Sequence, residues 1–391
     1  PWCGRLAKAA ILLTLCAVVG CPFTPPTPST GAAVVLGYND LGMHCMNQDF
    51  SELMLLPPYN TLHAQVIARG AENPAIISDG VTVQYSVPGN TTSVTKTNFW
   101  TYANALLGVN LAPDVGLTGN GLSGTMQPTG GNDWSATGIP LTPQPDTGGN
   151  NSYQLASIVV QQNGTTIATT SAVVPVSWEI NCNLCHNTPG ISMATDILQK
   201  HDTLHGTNLV NSKPVLCARC HADAALNLTG TAGVPPLSTA MHSSHASRMG
   251  AVSLTTECYA CHPGVQTQCL RDVHFSKGML CNNCHTSMAA VGDPGRRPWV
   301  DEPRCGSAGC HQVAGHDYEQ ANTLFRNSKG HSGVHCEACH GSPHAILPTV
   351  VAADNVQAET LQGHAGTIDT CTVCHTQQPE DGFFHRVGEG G

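Results

Sequence analysis

Two cysteines two residues apart, with a histidine directly after the second, recur six times between residues 182 and 375 of this 391-residue chain. The copies are Cys182-Asn-Leu-Cys185-His186, Cys217-Ala-Arg-Cys220-His221, Cys258-Tyr-Ala-Cys261-His262, Cys281-Asn-Asn-Cys284-His285, Cys336-Glu-Ala-Cys339-His340 and Cys371-Thr-Val-Cys374-His375. A seventh, Cys305-Gly-Ser-Ala-Gly-Cys310-His311, has four residues between its cysteines. Thiols so spaced reach the vinyl groups of one porphyrin as thioethers, and the adjoining histidine then lies under the iron as its axial ligand. Zinc knuckles and redox dithiols have no need of a histidine fused to every second cysteine. Seven covalently held c-type haems are therefore the expectation, with Gly306 and Gly309 giving the wide copy the freedom to absorb its extra residues.

Each iron then needs a sixth ligand. Beyond residue 178 the chain holds eleven further histidines: His201, His205, His242, His245, His274, His316, His331, His335, His344, His364 and His385. Asp196 to His205 reads as a short helix with His201 and His205 on one face, and His205 stands at its end before Gly206. His242 and His245 share a face within Ser238–Arg248 at i, i+3, and His331 follows a helix expected over Asp317–Lys329 that ends at Gly330. His344 lies four residues beyond a motif histidine, and His364 lies seven before Cys371. The distal set taken from these placements is His205, His242, His245, His316, His331, His344 and His364. His335 abuts Cys336 and would have to serve a neighbouring haem, while Met241, Met249 and Met279 are sulfur donors that would raise a potential. Bis-histidine, low-potential irons are the expectation.

Around these residues the chain divides by composition. Residues 1–21 resemble a bacterial lipoprotein leader: Arg5 and Lys8, an apolar Ala9–Gly20 too short to span a bilayer, then Val18-Val19-Gly20-Cys21, which implies lipid on Cys21. A proline-rich spacer covers 22–30. Residues 31–178 carry alternating apolar positions and turn signals, such as Val81, Val83, Tyr85 and Val87 before Pro88-Gly89-Asn90 leading into Thr91–Thr97, and Asn163-Gly164 between Tyr153–Gln162 and Thr165–Val176. These predict an antiparallel β-sandwich, immunoglobulin-like in one version, with Gly116–Gly131 as loop. Residues 179–391 form the haem domain, where about 30 residues per haem are too few for an amino-acid core, so short helices and loops must wrap the porphyrins.

The cysteine count leaves Cys45 and Cys269 outside the motifs and the leader, able to pair in an oxidising compartment or to remain buried thiols. His44-Cys45, between Met43 and Met46 and accompanied by His63, has the residue types of a blue-copper site but lacks the rest of its ligand loop; ordinary core or surface histidines are the favoured reading. A formal net charge of -10 without a basic stripe excludes nucleic acid as a partner.

The stretch Leu324-Phe325-Arg326-Asn327-Ser328-Lys329-Gly330-His331-Ser332-Gly333, continuing through Cys336–His340 to Gly341-Ser342-Pro343-His344-Ala345, resembles the multihaem c-type cytochromes of metal-reducing bacteria. Leu361-Gln362-Gly363-His364-Ala365-Gly366 is similar to the same group, as is Gly37–Asn47 to the leading domain of some members. The chain departs from them in the wide spacer of Cys305–His311. The resemblance implies an electron carrier at the outer membrane or outside the cell, meeting other electron-transfer proteins or extracellular acceptors and able to polymerise into filaments. It also implies axial roles for His331, His344 and His364.

Two functions compete on these residues. A conduit needs every iron six-coordinate, whereas a reductase of nitrite, hydroxylamine or tetrathionate needs an open iron with acid or base groups around it. No Cys-x-x-Cys-Lys occurs, and histidines are in surplus. A non-enzymatic electron carrier is the expectation.

Overall fold

The computed structural model describes residues 31–71, 73–311, 319–380 and 385. The leader with Cys21, the proline-rich spacer and His316 lie outside them. The first part is built from β1 (Ala33–Tyr38), β2 (His44–Cys45), β3 (Leu53–Met54), β4 (Asn60–Ala68), β5 (Ala75–Ile77), β6 (Thr82–Ser86), α1 (Phe99–Leu107), β7 (Ser123–Thr125), β8 (Gln127–Pro128), β9 (Trp134–Ile139), β10 (Tyr153–Gln162) and β11 (Thr165–Ser177). One sheet runs β1-β4-β9-β8 with β5 also on β4, and the other runs β2-β11-β10-β6-β7. Within these two sheets pairing is antiparallel except where β2 joins β11, and β3 pairs in parallel with Val215–Leu216 of the second part. Asn163 and Gly164 both have positive φ, 50° and 78°, the backbone that a two-residue hairpin requires.

The strand suggested over Thr91–Thr97 is a loop. The Asp114 carboxylate accepts from the Ser93 and Val94 amides and that of Asp146 from Thr91, so these groups have partners other than a ladder. The glycine-rich 116–131 stretch supplies the short β7 and β8.

Between the sheets lies a core that includes Val35, Phe50, Leu62, Phe99, Ile139 and Ile158. All six residues of β1 are buried, because Val34, Leu36 and Tyr38 point the other way, onto Ala338, Leu361, Ile368 and Val373 of the second part. A strand covered on both faces loses the apolar–polar alternation. Gly37 lets the strands pack closely, since a Cβ there would come 2.5 Å from Ile158 Cδ1 and 2.8 Å from Ala172 Cβ and force them apart.

The second part contains α2 (Met193–His205), β12 (Val215–Leu216), α3 (Leu237–Ala246), α4 (Val273–Ser276), α5 (Cys281–His285), α6 (Met288–Val291), α7 (Cys336–His340) and α8 (Ala352–Gln362), joined by turns and long irregular segments. Ser192 caps α2 by accepting from the Thr195 amide, and Gly206 closes it in the left-handed conformation. Over its described residues, the stretch expected as a helix at Asp317–Lys329 is irregular, with one 3-10 turn at Phe325–Asn327. Asn322 is left-handed there, and Arg326 is drawn to Glu302 (3.0 Å) and the Trp299 carbonyl (3.1 Å).

Polar bonds lock the two parts together. Gln357 of α8 accepts from the Gly37 amide (2.7 Å) and donates to its carbonyl (2.9 Å). Arg271, fully buried, makes two bonds to Asp354 of α8 (2.6 and 2.9 Å), donates to the Gly42 carbonyl (2.6 Å), and lies over the Tyr153 ring.

Candidate haem-binding sites

Each Cys-x-x-Cys-His segment is one tight helical turn. The His186, His221, His262 and His375 amides donate to the carbonyls of Cys182, Cys217, Cys258 and Cys371 at 2.8–3.1 Å, and two further copies are α5 and α7 themselves. That turn brings both cysteines and the histidine to one side. The wide copy keeps the closing bond, from the His311 amide to the Cys305 carbonyl at 3.0 Å. Its extra residues are taken up in a turn with Gly309 at φ 83°.

An imidazole nitrogen sits about 2 Å from a bound transition metal and its ring centre about 1 Å further back, so two imidazoles sharing one metal hold their centroids roughly 6 Å apart. All seven motif histidines face a second histidine at that spacing. His186 faces His245 at 6.4 Å, His221 faces His201 at 6.3 Å, and His262 faces His242 at 6.1 Å. His285 faces His344 at 6.1 Å, His311 faces His274 at 6.0 Å, His340 faces His385 at 5.8 Å and His375 faces His331 at 6.2 Å. Interplanar angles range from 16° to 87°, a freedom that rotation about a shared nitrogen–metal–nitrogen axis allows.

The hydrogen bonds behind the rings suit metal ligation. Nδ1–H of His221, His242, His245 and His375 donates to the carbonyls of Pro235 (2.8 Å), Ser238 (2.7 Å), Met241 (2.7 Å) and Ala71 (3.3 Å). A carbonyl can only accept, so Nδ1 carries the proton and Nε2 keeps its lone pair for a metal. His274 Nδ1 is 3.0 Å from Asp272, and Asp196 lies 3.3 Å from His186 Nδ1. Burial holds the pKa of His262 and His344 down at about 4, leaving both imidazoles neutral near pH 7. The donor set therefore fits porphyrin iron between paired imidazoles. Among the described residues no cluster of three or more His, Cys, Asp and Glu side chains is arranged to hold a free metal ion. His44 is buried and bonded to Asn39, within the β-part.

Of the distal set read from the sequence, His242, His245, His331 and His344 stand opposite motif histidines. His205 stands beside His201, ring centres 4.8 Å apart, and it is His201 that faces His221. His364 is exposed and turned to Asp369 at 3.5 Å. Three facing histidines lie outside that set: His201, His274 and His385. Helix phase cannot choose between His201 and His205. For His274 a signal existed, since Asp272 both caps α4 through the Phe275 amide and holds the imidazole two residues on. His385 belongs to no periodic element.

The sequence profile of the family cytochrome c554 and c-prime matches residues 293–341, a stretch that contains the Cys305–His311 and Cys336–His340 sites. No curated protein and no solved structure matches the chain. The match supports a c-type cytochrome, with covalently bound haem and a general role in electron transfer.

Proposed function

We propose that the chain carries seven c-type haems, each iron held between two imidazoles, and that it conducts electrons along them without transforming a substrate. The observation that carries this reading is the facing of all seven motif histidines by a second histidine at 5.8–6.4 Å. The cysteine pairs would hold the porphyrins by thioether bonds, and the haem iron, when bound, supplies the one-electron couple. The chain's own residues set that couple: carbonyl acceptors behind Nδ1 fix the rings of His221, His242, His245 and His375, carboxylates such as Asp272 raise ligand basicity, and doubled imidazoles favour low potentials. A saturated iron leaves no position for nitrite or another oxyanion.

The location proposed is the cell surface or outer membrane, through lipid on Cys21, with other cytochromes or extracellular acceptors as partners. Carbon monoxide titration of the reduced holoprotein, alongside a pyridine haemochrome count, tests the reading. Seven haems and almost no bound carbon monoxide are expected; one equivalent bound would favour a reductase. Globomycin sensitivity of processing tests the lipid on Cys21.

A further inference from the structure

We infer that the seven sites form a single unbranched file, in chain order except that the first two exchange places, so that the sites of His221 and His375 are its ends. The file rests on the seven-haem reading above and adds the spatial order. Named by motif histidine, it runs His221, His186, His262, His285, His311, His340, His375.

Shared elements link the first three. Asp196 of α2 lies against His186, and five residues along the same helix, about 7.5 Å of rise, His201 faces His221. On α3, His245 faces His186 while His242, one turn back, faces His262. Asn181 beside the His186 motif donates to the Tyr259 carbonyl inside the His262 motif at 3.0 Å. Next, Cys258 Sγ is 3.7 Å from Asn282 Oδ1, joining the His262 and His285 motifs. α4, whose His274 faces His311, leads directly into α5 with Cys281–His285. Glu302, just before the His311 motif, pairs with Arg326, which lies on the approach to the His340 motif. At the far end the Cys339 carbonyl accepts from the Ile368 amide (3.0 Å), and Thr367 Oγ1 is 3.4 Å from His340 Nδ1, both on the approach to the His375 motif.

From the His186 site onward the sulfurs repeat the same order. In this structure thiols stand where thioether sulfurs would sit on a porphyrin edge. The Cys182 and Cys261 thiols lie close enough to perturb each other, as do those of Cys258 and Cys281, all four being free. Cys284 lies within electrostatic reach of Cys310, Cys305 of Cys336, and Cys339 of Cys374. At each of the four sites from His262 to His340, one sulfur therefore faces the preceding neighbour and the other the following one. A branched or closed cluster would not divide them this way. The competing path is a shortcut from His285 to His340, because His344 faces His285 while following His340 by only four residues.

Iron-edge anomalous diffraction from crystals of the holoprotein gives seven iron positions and decides the order. The file expects the iron at His285 to lie nearer that at His311 than that at His340, and the iron at His221 to have its nearest neighbour at His186. Either relation reversed overturns the file. A haemochrome count on the same sample separates the failures: seven haems in another order refute the file alone, whereas a preparation without haem refutes the conduit and the file together.

Discussion

The choice between His201 and His205 is the sharpest test of the paired-imidazole geometry. Both sit on the last turns of α2, four residues apart, and either could reach a porphyrin bound at Cys217–His221. The His201 centroid is 6.3 Å from His221, against the roughly 6 Å expected for two imidazoles on one metal. Its Nδ1 is 2.9 Å from Thr207 Oγ1, and that hydroxyl donates to Asp202 at 2.6 Å. His205→Ala removes an exposed ring, so a stability change within about 0.5 kcal/mol is expected, with no carbon monoxide binding gained. His201→Ala alone leaves His205 close enough to swing in, so the informative variant is His201→Ala/His205→Ala. It should retain seven haems and bind one equivalent of carbon monoxide when reduced, with about one seventh of the Soret band shifting to the complex. Titration in an anaerobic cuvette, with the haemochrome count as control, gives the answer. One equivalent bound by His205→Ala, together with none by His201→Ala, would refute the assignment of His201.

Three other outcomes follow from the same geometry. Asp354→Ala strands the fully buried Arg271 guanidinium without its carboxylate; a loss of about 3–5 kcal/mol is expected in guanidinium unfolding of the holoprotein, and an unchanged midpoint would contradict it. Asp272→Asn removes the negative charge behind His274 Nδ1, so one haem should titrate at a higher potential; identical redox curves would remove the carboxylate from any tuning role. The third concerns pH. Iron ligation and burial both keep His262 and His344 from taking a proton when folded, burial alone holding the free imidazoles at about 4 against the ordinary 6.5, so the unfolded chain takes up protons first. Their contribution is full above pH 6.5, declines as pH falls towards 4 and is constant below; the denaturation midpoint should drop between pH 7 and pH 5, and a flat profile there would exclude it.

The attachment chemistry was legible in the sequence because it is local. Cys-x-x-Cys-His is a single helical turn, and even the wide copy closes on the same Cys305–His311 backbone bond. The Asn163-Gly164 hairpin and the stop of α2 at Gly206 were equally legible, since turn backbone and C-cap depend on neighbouring residues alone; the start, read at Asp196, lies at Met193 behind the Ser192 cap. Distal ligands are another matter. His344 reaches the Cys281–His285 site from 59 residues away, and His201 and His205 have the same helical phase, so only the packing of α2 against the His221 turn separates them. β1 hides its alternation because the haem-bearing part covers its outer face, and the helix expected at Asp317–Lys329 yields in its described part to Asn322 and to the partners of Arg326. Short-range covalent geometry is written in consecutive residues; which imidazoles face each other is set by contacts between segments of the second part 20 to 59 residues apart in the chain, and those exist only once these segments have packed on one another.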